Sequence, residues 1–205
     1  MVFIDDIAYA LFSLSFAGFL LLYATISVYN SYRKNRKNIS EHLRSLSIPL
    51  GMLGVYMIIA GLWGQFNWPL PGSYNTLYYD PLISFGLVIF SFVLAVKYKT
   101  KLSYVGFLGF LFGVMAMIYG IEGYNIGLST EPIALFGLFF LYGAVGILSL
   151  PITIMMDRLP GLGGKRHWQG WYVILALFLI VLLLASLLSG FIGTAAIPAY
   201  LLNPP

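Results

Sequence analysis

The chain contains no cysteine, and only 9% of its 205 residues are charged. The absence of cysteine excludes disulfides, thiolate metal sites and cysteine nucleophiles. A typical soluble domain is about 25% charged and about 45–50% apolar, whereas 60% of this chain is hydrophobic. A soluble protein of this composition would have too few polar residues to cover its surface. We therefore expect lipid to be the solvent around most of the chain.

Several signatures of chemistry are also missing. The sequence has no HExxH, Walker or GxGxxG pattern, and its serine, histidine and acidic residues have no triad-like spacing. His42 and His167, its two histidines, fall in basic segments between apolar runs, so haem ligation is not expected. No charged residue falls at mid-membrane depth, which argues against a voltage sensor or a central proton-carrying carboxylate. No metal site is predicted, and the cofactor stays unassigned.

Six apolar segments are long enough, or nearly long enough, to cross about 30 Å of hydrocarbon as helices. They cover Ile7–Tyr29, Ile48–Gly64, Pro81–Val96, Ser103–Ile121, Pro132–Met156 and Trp171–Gly193. The runs are continuous rather than alternating, which favours helices over a β-barrel. The third is short, and we expect it to extend into the aromatic segment before it. The predicted fold is all-α: a polytopic membrane protein with a single transmembrane domain over residues 1–205.

All 11 lysines and arginines fall on one side of the predicted membrane. They lie between spans one and two, three and four, or five and six: Arg33, Lys34, Arg36, Lys37, Arg44, Lys97, Lys99, Lys101, Arg158, Lys165 and Arg166. The positive-inside rule makes these segments cytoplasmic in a cell membrane, with both termini outside. The N-terminus has no basic region before its apolar stretch, so we expect a retained first span. The basic segments fit anionic lipid head groups, and no nucleic acid partner is predicted.

A pattern of polar residues occurs twice, about fifty positions apart. Residues 72–88 read GSYNTLYYDPLISFGLV, and residues 122–139 read EGYNIGLSTEPIALFGLF. Each copy contains Tyr-Asn, an acidic residue followed by proline, and Phe-Gly-Leu. Residues 47–98 and 103–155 are therefore expected to be tandem hairpins of helices two and three and of helices four and five, in the same orientation. Glycines spaced three, four or seven residues apart in spans two and four favour close helix packing, with a glycine-lined pore as the alternative.

Polar residues of the outer segments are the candidate ligand-binding residues. Asp80 and Glu131 each precede a proline, a pattern typical of a helix start because a carboxylate there accepts a hydrogen bond from the first turn. The alternative is that the two carboxylates meet across the pseudo-twofold axis that would relate the two hairpins, and share a cation or a proton. Glu122 ends span four with no basic residue on its side, and it is either water-exposed, partly protonated or metal-bound. The remaining candidates are Gln65, Asn67, Tyr74, Asn75, Tyr124 and Asn125.

Three stretches carry a resemblance to a known family. They are WGQFNWPLPGSYNTLYYDPL, GYNIGLSTEP and LSLPITIMMDRLP. Together they resemble the archaeal membrane-protein family known only as domain of unknown function 981. The resemblance runs from the first span to about Pro160 and is weakest over the last span. It implies an archaeal source and no particular activity.

Three functions are compatible with these patterns. The first is binding or transport of a small solute or cation in an outward-facing polar cavity formed by the two hairpins. The second is a structural role, as a homo-oligomer or as an accessory subunit of a larger membrane complex. The third is an outer-leaflet membrane enzyme whose carboxylates hold a metal or perform acid–base chemistry. The sequence favours a non-enzymatic role.

Overall fold

A computed structural model describes residues 6–34, 39–70, 72–159 and 171–202, and these residues form six α-helices. The helices are α1 (Asp6–Lys34), α2 (Ile39–Asn67), α3 (Ser73–Tyr98), α4 (Ser103–Asn125), α5 (Pro132–Asp157) and α6 (Tyr172–Leu202). All six are long and apolar enough to cross a membrane. Helices suit lipid because each satisfies its own backbone polar groups. The prediction of an all-α chain with six helices able to span a membrane is confirmed.

Several helices extend beyond the predicted spans. α3 begins at Ser73 instead of Pro81, which confirms that this helix reaches into the aromatic segment before it. α2 begins at Ile39 instead of Ile48, so His42 is an exposed residue of a helix and not of a loop. Hydropathy marks only the part of a helix that lies in hydrocarbon, whereas the helix continues until its backbone is capped. His167 lies outside the described residues.

The six helices form a closed ring. Each helix contacts its neighbour in the chain, and α6 contacts α1. The most extensive contacts are those between α4 and α5 and between α2 and α3. We call α2–α3 hairpin one and α4–α5 hairpin two. The two hairpins meet at the α3–α4 contact, here called the seam, which is the least extensive contact of the ring.

Glycines bring the two helices of each hairpin into backbone contact. In hairpin one, a Cβ added at Gly86 would lie 2.9 Å from the carbonyl oxygen of Gly54. In hairpin two, a Cβ added at Gly113 would lie 2.6 Å from the carbonyl oxygen of Gly143 and 2.9 Å from the Cα of Gly146. Side chains at these positions would separate the helices, and small residues are what allow helices to approach closely in lipid. The glycines therefore have a packing role at both crossings.

The up-and-down order of the helices places alternate connections at opposite ends of the ring. The α2–α3 and α4–α5 connections lie at one end, which we call the acidic end because Glu122 and Glu131 are there. The other end, called the basic end, carries the described residues Arg33, Arg44, Lys97, Lys99, Lys101 and Arg158. Arg36, Lys37, Lys165, Arg166 and both chain termini lie outside the described residues. The orientation of the two ends in a membrane stays a prediction.

An aspartate joins the two helices of hairpin two at the basic end. Asp157, the last residue of α5, accepts hydrogen bonds from the backbone N–H groups of Leu102 at 2.8 Å and Ser103 at 2.9 Å. These groups belong to the start of α4, whose first N–H groups have no partner within the helix. A carboxylate at that position also interacts favourably with the helix dipole. Asp157 thus caps α4 from the end of α5.

The cysteine-free chain makes the orientation directly testable with single cysteines. Thr100 and Thr130 are a matched pair, since both are exposed, both lie outside helices, and they occupy opposite ends of the ring. If the basic end is cytoplasmic, a membrane-impermeant maleimide will label Thr130→Cys in intact cells, and it will label Thr100→Cys only after permeabilisation. The reverse labelling pattern would contradict the predicted orientation.

The glycine crossings predict unequal costs for the same substitution. Gly113→Ala places a methyl group against backbone atoms of α5, whereas a Cβ at Gly137 would meet only Leu188 Cδ2 at 3.8 Å. We expect Gly113→Ala to lower the free energy of unfolding by about 1–3 kcal/mol, as overpacking does. Gly137→Ala is the control and should be neutral or slightly stabilising. Chemical unfolding in detergent measures both, and equal effects would refute the crossing role of Gly113.

Candidate functional site

Asp80 lies within α3 and not ahead of it, so the predicted helix-start role of this residue is wrong. The N-cap position of α3 is Gly72, and Asp80 is seven residues beyond Ser73, roughly 10 Å along the helix axis. Its Oδ2 accepts a 2.5 Å hydrogen bond from the hydroxyl of Tyr119 in α4. The hydrogen bond crosses the seam and joins the two hairpins on the acidic side of the ring.

A second phenol hydrogen bond joins the hairpins nearer the acidic end. The hydroxyl of Tyr74, in the first turn of α3, donates to the carbonyl oxygen of Leu128 in the α4–α5 connection. We call the four residues Tyr74, Leu128, Asp80 and Tyr119 the hairpin junction. Both of its hydrogen bonds connect α3 of hairpin one to hairpin two. The junction therefore sets how the two hairpins meet at this end.

An apolar cluster packs beside the hairpin junction. Leu77, Leu135 and Phe139 are buried, and the rings of Tyr78 and Tyr119 pack against them. The Tyr78 ring lies 6.2 Å from the Phe139 ring, centroid to centroid. The Tyr119 partner of Asp80 thus packs against apolar side chains, beside which a charge without a counterion is costly.

The Asp80 carboxylate has no basic partner in the described part of the chain. Tyr119 is the one described residue that contacts this carboxylate with a polar side-chain atom. Lys97 is the first basic residue that follows in α3, 17 positions and roughly 25 Å further along the helix. Because Asp80 is half-buried, its negative charge is screened only in part by water. Its second oxygen, Oδ1, accepts no hydrogen bond from the described residues.

Asn75 has a structural role that uses both polar atoms of its side chain. It is fully buried at 0% exposure. Its Nδ2 donates to the carbonyl oxygen of Gly64 at 3.0 Å, and its Oδ1 accepts from the N–H of Leu70 at 3.3 Å. These partners lie at the end of α2 and in the α2–α3 connection. Asn75 therefore holds the connection of hairpin one in place.

The second Tyr-Asn pair occupies a different position from the first. Tyr124 and Asn125 are exposed in the last turn of α4, whereas Tyr74 and Asn75 are in the first turn of α3. The Tyr124 ring packs edge-on against Phe136, with centroids 5.9 Å apart. The two copies of this dipeptide therefore make different contacts. The relation of the hairpins as a tandem repeat stays a prediction.

The remaining candidates lie near the surface of the acidic end. Gln65 is half-buried in the last turn of α2, and the exposed Asn67 donates from Nδ2 to the carbonyl oxygen of Trp63 at 2.8 Å, within its own helix. Glu122 is exposed. Glu131 occupies the N-cap position of α5, as predicted, but its side chain makes no capping hydrogen bond.

The acidic side chains are not grouped as a metal site in the described parts of the chain. No three histidine, aspartate or glutamate side chains there lie close enough to share a metal ion. Asp80, Glu122 and Glu131 therefore do not form a three-carboxylate metal site, one form that the outer-leaflet enzyme could have taken. Within the described residues, Asp80 is the acidic member of the candidate site that bonds across the two hairpins.

Tyr119 is the site residue that the sequence reasoning missed. It lies in the apolar run VMAMIYG of span four, where a tyrosine is ordinary near a membrane interface. The distance of each residue from the acidic end of its helix would have identified Tyr119. Tyr119 is six residues from the end of α4, and Asp80 is seven residues from the start of α3. That comparison requires the start of α3 at Ser73, and the predicted start at Pro81 placed Asp80 outside the helix.

The contacts of Asn75 and Asn125 predict different effects on stability when each is replaced by alanine. Asn75→Ala leaves the Gly64 carbonyl and the Leu70 N–H without their side-chain partners, which should lower the free energy of unfolding by about 1–3 kcal/mol. Asn125→Ala, at the exposed second copy, should stay within about 0.5 kcal/mol of the unmodified protein. Unfolding measured in detergent compares them. A wild-type stability for Asn75→Ala would overturn the structural role of this residue.

The comparison with known proteins gives one family and no further relative. The model of a family described as "Protein of unknown function (DUF981)" matches residues 1–203. The match includes α6, over which the resemblance in sequence was expected to be weakest. No curated protein and no solved structure matches the chain. Because the family model spans nearly the whole sequence, the chain belongs to the DUF981 family.

Proposed function

We propose that the protein is an integral membrane protein that binds a small cation at the hairpin junction, with Asp80 as the anionic ligand. The observation that carries the proposal is the 2.5 Å hydrogen bond from Tyr119 to an Asp80 carboxylate that no described basic residue neutralises. A bound cation would balance the charge of this half-buried carboxylate. The sequence predicts a small solute or a cation as the ligand, and the proposal restricts that ligand to a cation.

The chemistry of the junction suits a hard cation. The Asp80–Tyr119 pair presents oxygen atoms, those of a carboxylate and a phenol hydroxyl. Oxygen ligands favour alkali and alkaline-earth ions over softer metals, which prefer nitrogen or sulfur. Tyr119 orients the carboxylate by donating to Oδ2, and Oδ1 is the oxygen that would bind the cation. Tyr119 is thus a positioning residue for Asp80.

The charge distribution supports access from the acidic end. Glu122 and Glu131 are exposed there, and the described lysines and arginines lie at the basic end. A surface whose charges have one sign raises the local concentration of ions of the opposite charge. Cations would therefore reach Asp80 from the acidic end, which is the outer surface if the predicted orientation holds.

Binding is better supported than transport. Towards the basic end, the interior of the ring is lined mainly by apolar side chains, and a cation moving through it would lose its hydration without gaining ligands. A structural or accessory-subunit role is the second candidate, because the Asp80–Tyr119 hydrogen bond also joins the two hairpins. The two candidates differ in whether the protein responds to cations.

The test is the thermal unfolding of the purified full-length chain in NaCl, KCl or MgCl2, compared with choline chloride at equal ionic strength. A ligand that binds only the folded state stabilises it by about 2.7 kcal/mol at a concentration 100-fold above Kd. We expect a small cation to raise Tm and choline to leave it unchanged. Asp80→Asn should abolish this response. Tyr119→Phe should weaken the apparent affinity by about tenfold, since one hydrogen bond is worth about 1.4 kcal/mol.

Glu122→Gln and Glu131→Gln are the matched controls, because each removes one exposed carboxylate from the same end of the ring. Both should keep the cation response. If Asp80→Asn lowers Tm equally in every salt and the wild-type protein shows no cation-specific shift, the cation site is refuted. Asp80 would then serve to join the hairpins, as the structural candidate requires.

A further inference from the structure

The ring contains a cavity of about 110 Å³ that borders the seam and lies towards the basic end. All six helices contribute to its wall, one residue from each being Ala17, Leu43, Val88, Gly109, Val145 and Phe178. A water molecule needs only roughly 10–15 Å³ of comparable space. The cavity is therefore large enough for a ligand several times the size of water, and it is separate from the hairpin junction.

The few hydroxyl groups in the cavity wall already have hydrogen-bond partners in the protein. Thr25 donates to the carbonyl oxygen of Leu21, and the Tyr142 hydroxyl is 2.8 Å from Ser189 Oγ. Ser149 and Thr153, the other two, donate to backbone carbonyls at 2.6 Å and 2.8 Å. Water binds in cavities that offer two to four polar partners, whereas cavities lined by apolar groups stay dry. An occupant of this cavity must therefore be apolar.

We infer that the cavity binds one hydrocarbon chain of a membrane lipid. An apolar cavity of about 150 Å³ in another protein binds benzene, so a space of this order accommodates a segment of chain. Lipid chains are the apolar molecules that surround a protein with six membrane-spanning helices. Filling the space restores the dispersion contacts that an empty cavity forgoes.

The seam is the side from which a chain would enter. It is the least extensive helix contact of the ring, and both of its helices contribute to the cavity wall. Val88 of α3 faces Gly109 of α4, where an added Cβ would lie 3.6 Å from Val88 Cγ1. The wall at this point consists of a valine methyl group and a glycine. A small separation of the hairpins would open it to the surrounding lipid.

Native mass spectrometry of the full chain, delipidated and then mixed with dioleoyl phosphatidylcholine, tests the inference. This lipid is zwitterionic, so the basic end does not attract it by net charge. We expect one bound lipid on the wild-type protein. Val145→Phe should lower the lipid occupancy by about tenfold, because the phenylalanine side chain fills the space that the hydrocarbon chain would occupy. Val114→Phe, the same change at an exposed position of α4, should keep the wild-type occupancy.

A second variant and a second ligand complete the test. Val88→Leu reduces the cavity more gently, and it replaces Val145→Phe if that protein does not fold; it should lower the occupancy by at least about threefold. Oleic acid in place of the phospholipid tests whether the bound hydrocarbon chain belongs to a bilayer lipid or to a free fatty acid. Preferential retention of the phospholipid supports a bilayer lipid. Preferential retention of oleic acid overturns that source. Wild-type occupancy in the folded cavity variants, or no bound lipid on the wild-type protein, would refute the site.

Discussion

Backbone contact between helices at glycine is the interaction on which this structure depends. Apolar surface gains little by leaving lipid for protein, so helices in a membrane associate through close van der Waals contact and a few hydrogen bonds. Gly54 and Gly86 provide that contact in hairpin one, and Gly113 and Gly146 provide it in hairpin two. Each hairpin is consequently a well-packed unit. The contact between the hairpins is smaller, and a few polar groups define it.

Polar groups join the parts of the ring that the glycine crossings leave separate. Ser15 of α1 donates to the carbonyl oxygen of Ser186 in α6 at 2.8 Å, which helps α6 to close the ring. Asp80 and Tyr119 join the hairpins across the seam. A hydrogen bond between helices in a bilayer has directional requirements that packing lacks. Packing holds each hairpin together. These hydrogen bonds therefore determine how the parts of the ring are arranged relative to one another.

The two ends of the ring differ in chemistry. Towards the acidic end, the Asp80 carboxylate meets the Tyr119 phenol across the seam. Towards the basic end, the interior is apolar and its hydroxyl groups are bonded within the protein. Both the proposed cation site and the proposed lipid site border the seam between α3 and α4. A change in the separation of the hairpins would thus affect both sites, which gives the seam its functional interest.

The sequence by itself determined the six helices and the separation of basic from acidic connections. Hydropathy and charge report on membrane depth residue by residue, and they need no knowledge of neighbouring helices. It also indicated the packing role of the glycines. Only the tertiary structure decided that α3 begins at Ser73, that Asp80 meets Tyr119, and that Asn75 serves the α2–α3 connection. These contacts depend on the rotation and register of each helix against its neighbour, and an apolar run is compatible with many rotations because lipid accepts almost any of its faces.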